Sequence, residues 1–313
     1  CDPFMPAAIL QKGTLAGQKR IVATVSTLEE EVERQGVETP AIIVVGKVCD
    51  LAQEFAWYEE LPLAGKKILV TRPRELVSAM SRKLREKGAE VLELPAISTT
   101  PIPDNNLLRN AIGELHIYQW LVFTSPTGVR IFFEALKAEK KDLRALAGLK
   151  IAVLGSGTAK ALESYGLYPD LMPEIFEGEA LGKALAEKLS GGERILIPRA
   201  ALGGAELIEE LEKKGVTVDD IPTYDTLYET PGAVDEKAEF DTGTVDYAVF
   251  TSASTVRGFA QAVKGIDFSK VKAVCIGRQT KAAADELGME TYMAEQATMD
   301  SVVSCVEKLC RER

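Results

Sequence analysis

The chain repeats itself, and the spacing of the repeat limits what it can fold into. Ile68-Leu69-Val70-Thr71-Arg72 returns 127 positions later as Ile195-Leu196-Ile197-Pro198-Arg199. At the same distance Lys87-Gly88 returns as Lys214-Gly215, and Val122-Phe123-Thr124-Ser125 as Val249-Phe250-Thr251-Ser252. Ile151-Ala152-Val153-Leu154-Gly155, followed by Thr158, returns 122 positions later as Ala273-Val274-Cys275-Ile276-Gly277 with Thr280. Blocks that keep one order and nearly one spacing mark a duplication running from about residue 62 to the end.

Each half alternates short apolar runs with amphipathic stretches. Ile68-Leu69-Val70, Leu121-Val122-Phe123, Ile195-Leu196-Ile197 and Ala248-Val249-Phe250 read as strands buried on both faces. Glu75 to Lys87 and Ala205 to Lys214 read as helices, stopped by Gly88 and Gly215. Strand, helix and glycine in rotation predict right-handed crossovers and an α/β fold: two doubly wound parallel-sheet domains. In such sheets ligands bind beyond the carboxyl ends of the strands. The residues placed there are Thr71-Arg72, Thr124-Ser125, Gly155 to Thr158, Arg199 to Gly204, Thr251 to Ser254 and Gly277 to Thr280. These loops are small, hydroxylic or glycine-rich. They leave N–H groups and helix N-termini at one rim, which suits anionic ligands.

The first sixty residues belong to neither repeat. Met5 to Thr14 and Ile21 to Val25 read as strands, Leu28 to Gln35 as a charged helix, and Pro40 to Gly46 as another buried strand. So few elements cannot close a core, and the segment is expected to be a short α/β appendage, disordered or dimerised through its apolar strands.

Composition narrows the function classes. Of 313 residues, 46% are hydrophobic and 27% charged, which is ordinary for a globular chain. A formal net charge of −10 argues against a broad nucleic-acid or anionic-membrane surface. It leaves room for a small acidic ligand held locally by backbone N–H groups. Five scattered cysteines fit reduced thiols in a cytoplasm, and the single histidine, His116, excludes a Ser-His-Asp triad and a multi-histidine metal site. Gly155-Ser156-Gly157 lacks the third glycine and downstream acid of a dinucleotide fingerprint.

Taken singly, the rim residues have plainer readings. Ser125, Thr158, Ser252 and Thr280 read as helix caps as readily as ligand contacts. Arg72 and Arg199, equivalent in the repeat, suit ligand carboxylates or structural ion pairs. Tyr224, just after an apolar strand, is as a bare residue a packing tyrosine.

In order and spacing, these blocks resemble the uroporphyrinogen-III synthase family. The carrying segments are Leu63 to Pro73, Phe123 to Val129, Ile221-Pro222-Thr223-Tyr224-Asp225-Thr226, Phe250 to Ser254 and Ile276 to Thr280. Residues 1–61, with Pro6-Ala7-Ala8, Gly13-Thr14, Pro40 to Gly46 and Trp57-Tyr58-Glu59, are similar to the end of uroporphyrinogen-III C-methyltransferase, as in a bifunctional fusion. The resemblance implies two synthase domains, 62–97 with 228–313 and 98–227, joined by a two-stranded connection and facing a cleft. It implies cyclisation of hydroxymethylbilane with inversion of the last pyrrole ring, in the cytoplasm, without metal or organic cofactor. Tyr224 matches a tyrosine proposed to protonate the leaving hydroxyl, and Thr280 a threonine near the substrate. Ser125, Ser252 and Ser254 match loop hydroxyls that hold acetate or propionate arms. Thr124, Thr158, Arg199, Gly203, Thr251 and Gly277 complete the expected substrate-binding rim. Arg278-Gln279 and Ala200 depart from the family pattern. No methyl transfer is expected of a segment lacking the glycine-rich cofactor half. The competing reading is a two-domain receptor that binds a small anion without chemistry.

Overall fold

The computed structural model describes residues 2–71, 77–94, 96–228, 236–241, 243–263 and 265–312. Arg72, Pro73 and the start of the helix expected from Glu75 lie outside the described residues. The chain opens with β1 (Pro6–Gln11), β2 (Lys19–Thr24), α1 (Leu28–Gln35) and β3 (Ala41–Val45). Then come β4 (Lys67–Thr71), α2 (Val77–Glu86), β5 (Glu90–Leu94), β6 (Ile97–Pro101) and α3 (Asn106–Gly113). The middle holds β7 (Trp120–Phe123), α4 (Pro126–Ala138), β8 (Lys150–Val153), α5 (Ser156–Glu163), α6 (Gly178–Ala186), β9 (Arg194–Ala200), α7 (Glu206–Glu212) and β10 (Thr217–Tyr228). The last part holds α8 (Glu236–Asp241), β11 (Tyr247–Phe250), α9 (Ala253–Ala262), β12 (Lys272–Cys275), α10 (Arg278–Asp285), β13 (Glu290–Met293) and α11 (Met299–Arg311).

Two compact units divide the chain, Ser98–Leu227 and the remainder on either side of it. In the inner unit the strand order is β6-β10-β9-β7-β8. Neighbours from β10 to β8 run parallel. Alternate residues serve opposite faces, as strand geometry requires. Leu121 and Phe123 join α3, α4 and α5 in one core layer through Ile112, Phe132 and Leu162. Trp120 and Val122 join α6 and α7 in the other through Leu181, Leu185, Leu207 and Leu211. Helices on both faces are why β7, Trp120-Leu121-Val122-Phe123, is apolar throughout and fully buried.

The other unit carries β13-β12-β11-β4-β5, parallel throughout. Leu69, Ala248 and Phe250 pack with Val256, Phe259 and Ala284 of α9 and α10. Ile68, Val70 and Val249 pack with Met80 and Leu84 of α2 and with Val302, Val303 and Val306 of α11. The fold is therefore α/β with two doubly wound parallel sheets.

The N-terminal strands form their own antiparallel sheet, β2-β1-β3. It docks on its unit through Tyr58, whose buried hydroxyl donates to the Gly88 carbonyl at 2.9 Å, and through Ala16 N–H to Glu90 at 2.9 Å. The expectation of a buried strand at 40–46 is overturned. In β3, Ile42 is 65% and Ile43 61% exposed, because among the described residues β3 pairs with β1 alone and little besides the turn that follows it, residues 47–51, lies against it. Among the described residues, no helix is long and apolar enough to cross a membrane.

Candidate functional site

Four helices start directly after four parallel strands, two in each unit. In the inner unit α4 follows β7 and α5 follows the neighbouring β8. In the other, α9 follows β11 and α10 follows β12. First-turn N–H groups have no partner within a helix, so each start needs an oxygen from elsewhere.

The starts are equipped in two ways. Ser125 caps α4, its Oγ accepting the Gly128 N–H at 3.0 Å. Ser252 caps α9, accepting Thr255 N–H at 3.2 Å while Thr255 Oγ1 accepts the Ser252 N–H, a reciprocal capping box. Ser252 Oγ also lies 2.9 Å from Ser254 Oγ. By contrast α5 and α10 begin at Gly155 and Gly277, which have no side chain to cap with. Their third helical residues are Thr158 and Thr280, both buried. A glycine cap leaves the helix start to water or to an anion. At Gly277 a Cβ would meet nothing within 4 Å, so that start is open, whereas at Gly155 it would strike the Phe176 ring at 2.9 Å.

Arg199, at the end of β9, is 8% exposed. Its Nε and Nη2 donate to the two oxygens of Asp220, each at 2.7 Å, and Nη1 donates to the Gly204 carbonyl at 2.5 Å. The guanidinium thus straps the loop after β9 to β10, and the ion-pair reading is the one its geometry fits. Gly203 serves that strap, since a Cβ there would lie 2.6 Å from Arg199 Nη1. Thr124 and Thr251 are half-buried at the ends of β7 and β11.

Tyr224 sits on β10 beyond a bulge. Pro222 pairs with Arg199 and Tyr224 with Ala200, leaving Thr223 as the extra residue. The bulge breaks the alternation, so Thr223 and Tyr224 are both buried. Thr223 Oγ1 donates to the Arg199 carbonyl at 3.1 Å, and Asn105 Nδ2 donates to Pro222 O at 2.7 Å, which pins the bulge. The phenol is 6% exposed and its oxygen lies 2.8 Å from Ser125 Oγ. Burial pushes its pKa above the usual tyrosine value, and the Ser125 hydrogen bond pulls partly back.

The structure thus joins Tyr224 to Ser125, and Ser252 to Ser254, each within its own unit. Reading the sequence missed Thr255, which completes a cap readable as serine followed three residues later by threonine. It also missed Asp220, the partner of Arg199. A cavity of about 290 Å³ in the inner unit, bordered by Leu108, Ile131 and Thr223, carries Asp104, Glu134 and Glu139 against Arg109 alone. Among the described residues no cluster of histidine, cysteine, aspartate and glutamate is arranged to hold a metal ion.

The family model for uroporphyrinogen-III synthase HemD matches residues 78–304. A porphyrin biosynthesis protein HemD of Ruminiclostridium josui is 42% identical over 299 residues, covering 96% of this chain. The chain spans only 59% of that relative's length. A uroporphyrinogen-III synthase of Synechococcus elongatus is 30% identical over 262 residues, 81% of this chain and 98% of the relative. Among solved structures, a mutant uroporphyrinogen III synthase of Thermus thermophilus shares the fold. Its TM-score is 0.57 at 23% identity, over 79% of this chain and all of that one. The chain belongs to the uroporphyrinogen-III synthase family.

Proposed function

We propose that this chain closes hydroxymethylbilane into uroporphyrinogen III, inverting the last pyrrole ring, with Tyr224 as the acid that protonates the departing hydroxyl. The observation that carries this reading is a buried phenol held on β10 opposite Ala200, the carboxyl end of β9, and beside the capped start of α4. A general acid must be protonated at working pH, and a phenol raised above ~10 by burial is neutral there.

The rest of the task is orientation. Pyrrole nitrogens push out the hydroxyl by themselves, so the protein must fold a flexible substrate until the intended carbon is attacked. Orientation of this kind is worth several kcal/mol, about 7 or more when geometry is well fixed. The open helix start at Gly277 and the start at Gly155, against which the Phe176 ring lies, together with Thr124, Thr158, Thr251, Ser252, Ser254 and Thr280, offer N–H and hydroxyl donors for acetate and propionate arms. Donors fixed by the fold need no reorganisation when charge develops. This explains how an acidic chain handles a polyanion without a basic surface. The reaction calls for no metal or organic cofactor.

The same reading assigns 62–97 with 228–313 and 98–227 to the two synthase domains. Residues 1–61 it assigns to the end of a C-methyltransferase. Support comes from the resemblance of 1–61 and from the greater length of the Ruminiclostridium relative. The test is turnover: the protein is given freshly generated hydroxymethylbilane and the isomers are separated. Type III product faster than the spontaneous reaction is expected. Type I alone, at the spontaneous rate, rejects the enzyme and favours a non-catalytic receptor.

A further inference from the structure

Two hydroxyls and one helix start meet at Ser125. Its Oγ accepts the Gly128 N–H at 3.0 Å and lies 2.8 Å from the Tyr224 oxygen. Each hydroxyl has one proton, and only one of those protons can lie between the two oxygens. If Tyr224 donates to Ser125, the phenol spends its proton inside the protein. If Ser125 donates to Tyr224, the phenolic proton is left for another acceptor.

The surroundings favour the second arrangement. An oxygen that accepts an N–H at the positive end of a helix is drained of electron density, so its own O–H becomes the better donor. We infer that Ser125 is a positioning residue for Tyr224: it donates to the phenol oxygen, directs the phenolic proton outward, and holds the phenolate once that proton has gone. The inference rests on the reading of Tyr224 as the acid. In that step the Tyr224 O–H bond breaks as the substrate C–O bond breaks, and the proton and the hydroxyl leave together as water. The phenolate is then supported by Ser125 O–H, itself backed by Gly128 N–H. The proton released when the inverted pyrrole regains its aromaticity returns the phenol to its neutral form.

The duplication supplies a contrast. Counting back 127 positions from Tyr224 gives Ile97, and Ser252, the repeat partner of Ser125, has Ser254 rather than a phenol at 2.9 Å. A serine cap is common to both halves, and the serine–phenol pair belongs to one.

The experiment separates capping from proton placement, using the full chain. Aspartate caps a helix as well as serine does, but as a carboxylate it cannot donate. Threonine can do both. Tyr224 is titrated by fluorine NMR in fluorotyrosine-labelled protein, its signal identified by loss in Tyr224→Phe. Ser125→Thr is expected to keep the phenol midpoint and hold kcat within about threefold. Ser125→Asp is expected to melt near the parent temperature, raise the phenol midpoint by about one pH unit or more, and lower kcat at least tenfold with little change in KM. An unmoved midpoint in Ser125→Asp, or a kcat equal to that of Ser125→Thr, overturns the inference. The titration needs no substrate. If Tyr224→Phe turns over like the parent while Ser125→Asp still raises the midpoint, the acid assignment fails, and with it the positioning role of Ser125, which is left a helix cap beside the phenol.

Discussion

At the scale of the residue, the proposed chemistry rests on one atom, the phenolic oxygen of Tyr224. Removing the phenolic oxygen while keeping the ring should leave the core around Phe123 and Phe132 intact. Tyr224→Phe is expected to lower kcat at least tenfold, with type III still the product, because orienting donors remain. Steady-state kinetics with isomer analysis checks it; a rate within twofold of the parent removes the phenol from acid catalysis. The raised phenol pKa also has a stability consequence. A group whose folded pKa lies above its unfolded value contributes stability that is present below the unfolded pKa, near 10, and is lost as pH rises through the folded one. Melting temperature should therefore be insensitive to this group between pH 7 and 9, and decline above about 10. That decline should be smaller in Tyr224→Phe. Cys275 follows the same logic: burial pushes its thiol up to about 12, so it should resist alkylation at pH 8 in folded protein and react after unfolding. Labelling of Cys275 at the rate of a free thiol would show that β12 opens locally.

Elements show where the sequence was readable and where it was not. The strands announced themselves because burial on both faces forces unbroken apolar runs such as Leu121-Val122-Phe123. Hydroxyls after those runs were legible as caps, and Ser125 and Ser252 do cap α4 and α9. The bulge at Thr223 was not legible, since a bulge is defined by its partner strand and Pro222 and Tyr224 lie on either side of it unremarked. Nor was the bare state of β3, because Ile42 and Ile43 look alike in sequence whether or not another element covers them. The partner of Arg199 was hidden for the same reason: Asp220 lies 21 residues along the chain, on the neighbouring strand. Glycines inside helices carry information only structure can decode. Alanine at Gly258 would ordinarily steady α9 by about 1 kcal/mol. Here its Cβ would lie 2.8 Å from the Ala96 carbonyl oxygen and 2.6 Å from Ile97 Cγ2. Overpacking costs about 1–3 kcal/mol, so Gly258→Ala should destabilise on balance, by about 1 kcal/mol. Urea denaturation gives the sign, and a raised midpoint would mean that α9 can lift from Ala96 at no cost.

Across the whole molecule, the duplication governs strand pairing more closely than a shared motif would require. Leu69 lies opposite Ala248 in one sheet, and Leu121 opposite Leu196 in the other. Adding 127 to Leu69 and taking 127 from Ala248 turns the first pair into the second. Lys67 with Glu90 and Arg194 with Thr217 obey the same shift. Each sheet draws strands from both repeats, so neither half of the duplication owns a complete sheet. The N-terminal sheet stands outside this symmetry. It contributes none of the residues assigned to the chemistry, yet Ile42, Ile43, Val48, Phe55 and Trp57 are each more than half exposed. Exposed apolar side chains gathered on one small sheet and the turns that follow it bind hydrophobic dyes and favour association. A chain beginning at Tyr58 keeps the Tyr58–Gly88 hydrogen bond and both large sheets. It should fold, form type III product with kcat within about twofold of the longer chain, and bind markedly less anilinonaphthalene sulfonate. Loss of the type III product on that truncation would show that the small sheet supports the reacting geometry. Equal dye binding by the two chains would show that the exposed apolar surface lies elsewhere.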